Sequence, residues 1–266
     1  MNRKTVLKAA MATAVGAMVA PLTACAGFTN SSSSLPYQVK ASAKMTESED
    51  DLKAIKSILS GNKSATWVCT GDSITQGAAH SHGWRHYVQH FEEHVRWDMG
   101  RKWDFVVNTG VSSERTGHIL QDFDNRVTRF SPDVVTLMIG TNDATLGPRG
   151  RKEYRKNLNE LAVRIRDTGA VPIFLTFNPI RLDQAATRAD LPAYVDLMRE
   201  VAADHKILLV DNYDYWESQG TTALEGWLSD AIHPNEVGHL MMALLLLDKL
   251  GIDDPNGSIA NLPIAS

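Results

Sequence analysis

The 266-residue sequence contains only two cysteines, Cys25 and Cys69, so disulfide bonds are not the basis of its stability. It has no excess of positive charge, since 27 Lys and Arg residues stand against 31 Asp and Glu residues. The chain offers no basic stripe to neutralise a phosphate backbone, so nucleic acid is not expected as a partner. The hydrophobic content of 43% and the length predict one globular domain with a buried core.

The first residues have the features of an export signal. Arg3, Lys4 and Lys8 precede the mostly apolar run 9–20. This run is too short to span a bilayer, which takes about 20 residues. The segment 22–25, Leu-Thr-Ala-Cys, resembles the lipobox of bacterial lipoproteins, and this resemblance implies lipidation of Cys25. We therefore expect a signal peptide at 1–24, a flexible tether at 25–48 and the folded domain at 49–266. The protein would be exported and lipid-anchored on the extracytoplasmic side of a membrane; ordinary signal cleavage, giving a secreted or periplasmic protein, is the alternative.

Strand-like and helix-like segments alternate through the domain. This order predicts an α/β fold, with a doubly wound, mostly parallel sheet of five strands flanked by helices in three layers. In such sheets, ligands bind beyond the carboxyl ends of the strands. The predicted strands are 66–70, 104–108, 134–139, 171–176 and 207–210, and the predicted helices are 50–59, 84–98, 115–129, 152–167, 192–204 and 235–250.

The first strand ends in a glycine-flanked turn, Gly71-Asp72-Ser73-Ile74-Thr75, with a second glycine at Gly77. The turn lacks the lysine of a phosphate-binding loop and the Gly-x-Gly-x-x-Gly spacing of a dinucleotide loop. It also differs from the Gly-x-Ser-x-Gly elbow of α/β-hydrolases. A serine on a tight turn before a helix remains, and by itself such a serine is more often a helix cap than a nucleophile.

Three further segments decide between these interpretations. They are the turn 108–110 with Gly110, the turn 140–143 containing Asn142, and the Asp-x-x-His pair formed by Asp230 and His233. With the Gly-Asp-Ser turn, they resemble in order the four sequence blocks of the SGNH hydrolases, also called GDSL esterases and lipases. The resemblance runs from residue 71 to residue 233, nearly the whole predicted domain. It departs from the family pattern after Gly110, where Val-Ser-Ser replaces the frequent second glycine.

The resemblance implies a catalytic role for each block. Ser73 would be the nucleophile, His233 its general base, and Asp230 the carboxylate that orients the imidazole. The oxyanion hole would consist of the backbone N–H groups of Ser73 and Gly110 and the side-chain amide of Asn142. Such chemistry needs no cofactor and no metal. Each residue also has a structural alternative: a turn for Asn142, a backbone angle for Gly110 and a helix cap for Asp230.

Other polar and aromatic residues have structural interpretations. We expect Asp72 and Asp143 to bond turn N–H groups. Trp216 and Trp227 are expected to pack in the core, and the alternative is that their aromatic faces carry a sugar ring or an acyl chain of the substrate. The segment 90–94 fits the His-x-x-Glu-His pattern of inverted zinc peptidases. The histidines of the helix predicted at 84–98 lie beside its expected core stripe, so they are predicted to be solvent-exposed. His80 and His82 would line the pocket mouth. The stripe comprises Trp84, Tyr87, Val88, Phe91 and Val95, and the helix histidines are His86, His90 and His94.

The sequence therefore predicts a serine esterase that cleaves carboxylic esters through an acyl-enzyme. Short acyl groups, such as acetyl on a carbohydrate, are the expected substrates. A lysophospholipase, lipase or thioesterase of the same family is the alternative enzyme, and a surface binding domain on the same fold is the non-enzymatic alternative. The expected partners are a small-molecule or glycan ester and, through the lipid, a membrane; no oligomeric state is predicted.

Overall fold

The computed structural model describes residues 49–77 and 79–262, which belong to one compact unit, Val39–Ser266. The predictions for residues 1–48, including lipidation of Cys25, lie outside the described residues. Within the described ranges, no helix is long and apolar enough to cross a bilayer.

Five parallel strands form the central sheet, and the predicted fold class is confirmed. Their order is β2-β1-β3-β4-β5, with Gly71 of β1 opposite Met138 of β3 and Cys69 opposite Asn108 of β2. The chain order therefore reverses between β1 and β3, and this switch point is where doubly wound sheets open a crevice for ligands. The strands are β1 (Thr66–Gly71), β2 (Phe105–Asn108), β3 (Val134–Met138), β4 (Val171–Leu175) and β5 (Leu208–Val210).

Helices connect the strands. Each predicted strand is present with a shift of at most one residue at either end, because short apolar runs between turn residues allow few alternatives. The helices are α1 (Glu49–Ser60), α2 (Ser73–Gln76), α3 (Tyr87–Glu93), α4 (Thr116–Gln121), α5 (Phe123–Arg126), α6 (Arg151–Asp167), α7 (Leu191–Asp204), α8 (Asn212–Ser218), α9 (Thr221–Gly226) and α10 (Glu236–Leu250). A π-helical turn, His94–Asp98, extends α3, and 3-10 segments occupy Thr128–Phe130, Asp143–Gly150 and Ala186–Arg188.

The predicted helix 115–129 is interrupted. It divides into α4, α5 and the 3-10 segment because Asp122 and Val127 have non-helical backbone angles. The interruption places Arg126 beneath the ends of β1 and β2, where its guanidinium donates to the carbonyl oxygens of Gly71 (2.9 Å) and Thr109 (2.8 Å). Tertiary hydrogen bonds therefore replace helical continuity here.

Two predictions for the helix expected at 84–98 are wrong. Trp84 lies before α3 and is 52% exposed, whereas the other four residues of its predicted stripe are buried. His86, His90 and His94 are buried rather than solvated, because α3 packs against α10 as well as the sheet. A helix covered on two sides buries a wider arc than the single stripe that periodicity shows.

The zinc-peptidase pattern at 90–94 has a structural explanation. The ring of His94 contacts Asp98 (Nδ1 to Oδ2, 3.1 Å) and donates from Nε2 to the carbonyl of Ile252 at 2.6 Å, which ties the end of α3 to the segment after α10. A carbonyl oxygen accepts only, so Nε2 carries the proton. Burial lowers the pKa of His90 to about 4, and an adjacent buried histidine, His239, has a pKa lowered to about 3. The imidazoles of His90 and His239 are therefore neutral core residues.

Candidate active site

Ser73 lies at the carboxyl end of β1, as the first residue of α2. The strand must turn here at a point where a side chain on Gly71 would overlap the carbonyl of Met138 and the side chain of Thr75. Asp72 caps the helix, since its Oδ1 accepts from the N–H of Ile74 at 3.0 Å, as predicted. Burial raises the pKa of the Asp72 carboxyl to about 7. As the first residue of the helix, Ser73 has a backbone N–H that no intrahelical carbonyl accepts.

Ser73, His233 and Asp230 form a continuous hydrogen-bonded chain. Ser73 Oγ lies 2.9 Å from His233 Nε2, and His233 Nδ1 lies 2.8 Å from Asp230 Oδ2. A carboxylate can only accept, so Nδ1 of the neutral ring carries the proton and Nε2 is free to accept from the serine hydroxyl. The structure thus brings together residues from two distant segments of the chain, since Ser73 and His233 are 160 positions apart in the sequence.

Local hydrogen bonds form the turn that carries the histidine. Asp230 Oδ1 accepts from the backbone N–H groups of Ile232 (2.7 Å) and His233 (2.8 Å), leaving Oδ2 for the imidazole. Asn178, after β4, donates from Nδ2 to the carbonyl of Ile232 at 3.0 Å. Asn235, not Asp230, caps α10, by accepting from the N–H groups of two following residues. The aspartate therefore has a different local role from the helix cap that its position also allowed.

Burial and charge act in opposite directions on this pair. Burial lowers the pKa of His233, the hydrogen bond and charge of Asp230 raise it, and the nearby charges of His80 and Arg188 lower it; the net shift is downward. Burial raises the pKa of Asp230, but hydrogen bonds from His233 and Ile232 outweigh this, so its pKa lies below the ordinary value. At neutral pH the pair is a neutral imidazole beside an ionised carboxylate.

His80 covers one face of the His233 ring. The two rings are stacked with centroids 3.4 Å apart and planes 2° from parallel, and His80 Nδ1 is 3.4 Å from Asp230 Oδ2. The side chain of His80 is 35% exposed, so it borders the site, as expected of the pocket mouth. His80, Asp230 and His233 each offer a possible metal ligand within 4.8 Å of the others. Because the lone pairs of stacked imidazoles lie in parallel planes, they do not converge on one metal position.

Asn142 follows β3 and has its amide orientation set by two neighbours. Arg188 donates from Nη2 to Asn142 Oδ1 at 3.0 Å, and Asn142 Nδ2 donates to the carbonyl of Glu114 at 3.1 Å. The Glu114 contact uses one of the two amide hydrogens, so the second is available to a further acceptor. Sequence reasoning missed Arg188, which lies on a loop after β4 with no recognisable spacing to the four blocks.

Gly110 approaches the serine helix closely but its N–H already has an acceptor. A Cβ on Gly110 would lie 2.5 Å from the backbone nitrogen of Gln76, so only glycine fits. The Gly110 N–H donates to Asn108 Oδ1 at 2.9 Å, and Asn108 Nδ2 donates to the carbonyl of Thr75 at 2.7 Å. For Gly110 to serve an oxyanion, that hydrogen bond must be shared or exchanged. Ser73 N–H and the Asn142 amide are the more available donors.

Asp143 follows Asn142 in the turn after β3. Asp143 is buried and accepts from Thr116, both from its backbone N–H (3.2 Å) and from its hydroxyl (2.6 Å), which fastens the turn after β3 to the start of α4. Burial raises the pKa of Asp143.

Trp216 and Trp227 are buried against each other edge to face, with centroids 5.1 Å apart. Core packing is therefore confirmed for both tryptophans.

Comparison with known proteins agrees with this geometry. A family model described as GDSL-like lipase/acylhydrolase matches residues 69–241, which is more than half of the sequence. The chain belongs to this family. The family assignment, made above from four sequence blocks, is thereby confirmed, and the domain is a carboxylic ester hydrolase.

Several relatives of this hydrolase are esterases. It is 29% identical over 129 residues to a multidomain esterase of Ruminococcus flavefaciens, covering 47% of this chain and 16% of that protein. It is 25% identical over 159 residues to an acetylxylan esterase of Geobacillus stearothermophilus, covering 56% of this chain and 73% of the relative. The chain thus spans only a small part of the multidomain esterase and most of the acetylxylan esterase.

Solved structures show the same fold. LAE5, an alpha/beta hydrolase enzyme from the metagenome of Lake Arreo, Spain, is 30% identical with a TM-score of 0.62, covering 71% of this chain and 97% of LAE5. An acetylxylan esterase from Geobacillus stearothermophilus is 21% identical with a TM-score of 0.59, covering 71% of this chain and 95% of the other. Variants of that esterase described as catalytic mutants, with a histidine or a serine replaced by alanine, superpose with TM-scores of 0.59 and 0.60.

Proposed function

We propose that this hydrolase is a serine esterase that works through an acyl-enzyme on Ser73. The hydrogen-bonded chain from Ser73 through His233 to Asp230 is the observation that carries the proposal. His233 Nε2 takes the hydroxyl proton as Ser73 Oγ attacks the ester carbonyl, and it then delivers the proton to the leaving alcohol. In the second half, His233 takes a proton from water as the water oxygen attacks the acyl carbonyl, and it returns that proton to Ser73 Oγ as the bond from Oγ to the acyl carbon breaks and the acid leaves.

The tetrahedral intermediate carries a negative oxygen that needs fixed donors. The Ser73 N–H, at the start of α2, and the second amide hydrogen of Asn142 support that role, and Gly110 adds a donor once its bond to Asn108 is shared. Asp230 holds the ring tautomer and stabilises the imidazolium that forms. Apart from the ester and the attacking water, the groups that this mechanism uses are side chains and backbone groups of the chain itself.

The proposed substrates are esters of short acyl groups, with O-acetyl on carbohydrate foremost. The acetylxylan esterase relative supports this choice, because the match covers most of that protein. Hydrolysis of p-nitrophenyl esters with acyl chains of about 2 to 16 carbons tests the acyl size, and acetylated glycans assayed beside lysophospholipids test the alcohol. A preference for long chains or lysophospholipids would favour the lipase alternative, and a thioester preference the thioesterase alternative.

We also propose that the protein is exported and held at a membrane by lipid on Cys25, on the sequence features alone. Radiolabelled palmitate incorporation into the full chain tests this, with Cys25→Ser as the matched variant. Label in the wild type and none in Cys25→Ser is the expected outcome. Release of unlabelled protein into the medium or periplasm by the wild type would instead favour ordinary signal cleavage.

The dependence of kcat/KM on pH tests the role of His233 as the base. A base must be unprotonated, so activity falls as pH falls through its pKa, and burial places this pKa below the ordinary 6.5. Because the charge of His80 lowers that pKa further, we expect His80→Asn to move the acid limb toward higher pH. His82→Asn, at an exposed position two residues away, is the control and should leave the limb unchanged. An acid limb that does not move in His80→Asn would contradict this electrostatic account.

A further inference from the structure

Two arginine side chains meet at Asn142. Arg115 Nε donates to the Asn142 carbonyl at 3.1 Å, and Arg188 Nη2 donates to the Asn142 side-chain oxygen at 3.0 Å. Arg115 Nη2 also donates to Thr145 Oγ1 at 3.0 Å, and Arg188 Nε donates to the Thr141 carbonyl at 2.9 Å. Two guanidinium groups from separate loops therefore converge on the residue that we assign to the oxyanion.

Neither guanidinium forms an ion pair with a carboxylate of the described residues. Over residues 49–77 and 79–262, no carboxylate oxygen lies within 4.0 Å of Arg115 or Arg188, whereas the neighbouring Arg126 pairs with Glu114 at 3.4 Å. Both side chains are half-buried, and the charge of each acts unfavourably on the other. Two like charges that are partly removed from water and unpaired are unfavourable unless an anion joins them.

The acidic groups near Arg188 are already committed. Asp72 and Asp230 both act on its charge from beyond ion-pair distance. Asp230 accepts from the His233 ring and from two backbone N–H groups, and Asp72 accepts from the Ile74 N–H. Neither carboxylate is therefore available to turn toward the arginine without breaking the turn that holds the catalytic residues.

The two guanidiniums retain free donors. Each has five N–H groups, and the contacts to neighbouring oxygens engage two nitrogens of each group in the described part of the chain. The remaining donors can bind a carboxylate or phosphate in the two-pronged geometry that arginine favours. Since the whole chain has a formal net charge of -4, its overall field does not attract anions, and any attraction at this site is local.

We propose that Arg115 and Arg188 form an anion subsite beside the oxyanion position, which selects ester substrates that carry a carboxylate or phosphate near the scissile bond. The inference rests on the proposed function, because it concerns the substrate of the same site. For a carbohydrate ester, the subsite favours an acidic sugar; for the lipase alternative, it favours a phosphorylated alcohol.

Matched aryl acetates test the subsite. The anionic substrates are 4-acetoxybenzoate, its 3-isomer and 4-acetoxyphenyl phosphate, and the neutral one is 4-acetoxybenzamide; each kcat/KM is divided by the alkaline hydrolysis rate of the same ester. At low salt, we expect the wild type to favour at least one anionic ester about tenfold, since a charge-assisted bond is of that size. The advantage should decline as salt screens it. The preferred anion then distinguishes a carboxylate source from a phosphate source.

Arg115→Gln should reduce this preference to within about twofold while the neutral ester stays a substrate. The Asn142 carbonyl keeps a donor in that variant, because Thr145 Oγ1 also lies 2.7 Å from it. Arg149→Gln, at an exposed position in the 3-10 segment, is the control and should preserve the preference. Three results would each overturn the subsite: no anion preference in the wild type, a preference unchanged in Arg115→Gln, or equal loss on charged and neutral esters.

A binding measurement separates this proposal from the esterase assignment. With Ser73→Ala protein, NMR titration should show tighter binding of 4-hydroxybenzoate than of 4-hydroxybenzamide, and Arg115→Gln should remove the difference. Equal binding of the two compounds contradicts the subsite even where the enzyme hydrolyses esters. If the wild type neither hydrolyses esters nor reacts with a fluorophosphonate, the proposed function is wrong. The titration still decides whether the anion site exists.

Discussion

Replacing Ser73 with alanine is expected to reduce kcat for short acyl esters by about 10⁴- to 10⁶-fold, with activity remaining only from binding and oxyanion stabilisation. The Ser73 hydroxyl is positioned to form the acyl-enzyme through His233, whose Nε2 lies 2.9 Å from it. Removing one small oxygen leaves the fold intact, because the turn is held by Asp72 and by the glycine before it.

Fluorophosphonate labelling tests the same assignment without a substrate. The wild type should be labelled once, at Ser73, and Ser73→Ala should not react. Ser112→Ala is the matched control, since its exposed hydroxyl bonds only Gln76 among described residues, and it should retain both activity and labelling. Ordinary turnover in folded Ser73→Ala protein would show that the nucleophile is elsewhere, and an unlabelled wild type would favour the non-enzymatic binding domain.

Asp230→Asn is expected to lower kcat by about 10³-fold with little change in KM. The amide nitrogen would donate to His233 Nδ1 and so move the ring proton to Nε2, where it blocks acceptance from Ser73. In a serine protease, the equivalent change costs about 10⁴-fold. We expect less here because the Asp230 side chain is 44% exposed, so water can replace part of its effect.

The geometry favours a clean interpretation of that variant. The asparagine oxygen can still accept from the N–H groups of Ile232 and His233, so the turn should keep its shape. Asp183→Asn, on an exposed part of the loop after β4, serves as the control and should retain full activity. Near-normal kcat in Asp230→Asn would show that the carboxylate serves only the turn. A fall in kcat/KM caused by KM alone would assign it to substrate binding.

The sequence predicted the strands better than the helices around them. Each strand is a short apolar run bounded by turn residues, which is a local signal, although the edge strand β2 is only partly buried. The helix predicted at 115–129 breaks because Arg126 bonds the ends of β1 and β2, and Trp84 is exposed because α3 begins only at Tyr87. These outcomes depend on contacts with distant segments, so no periodicity in the local sequence indicates them.

The sequence also predicted only part of the geometry of the candidate site. Ser73, Asn142 and His233 were found because each belongs to a short motif with recognisable neighbours. The sequence did not predict that His80 stacks on His233 or that Arg188 donates to Asn142. Neither contact corresponds to a recognisable spacing in the sequence. The occupied N–H of Gly110 was also unforeseen, since it depends on the side-chain direction of Asn108.

By itself, the sequence determined the alternation of strands and helices, the four blocks at the strand ends and hence the family. Those features are local, since turn residues and apolar runs act on neighbouring backbone. Only the tertiary structure decided how His80 stacks on His233, which donor of the proposed oxyanion hole is already engaged, and that two arginines with no ion pair among the described residues meet at Asn142. Such contacts join side chains far apart in the chain, and their geometry is set by how the loops pack at the edge of the sheet.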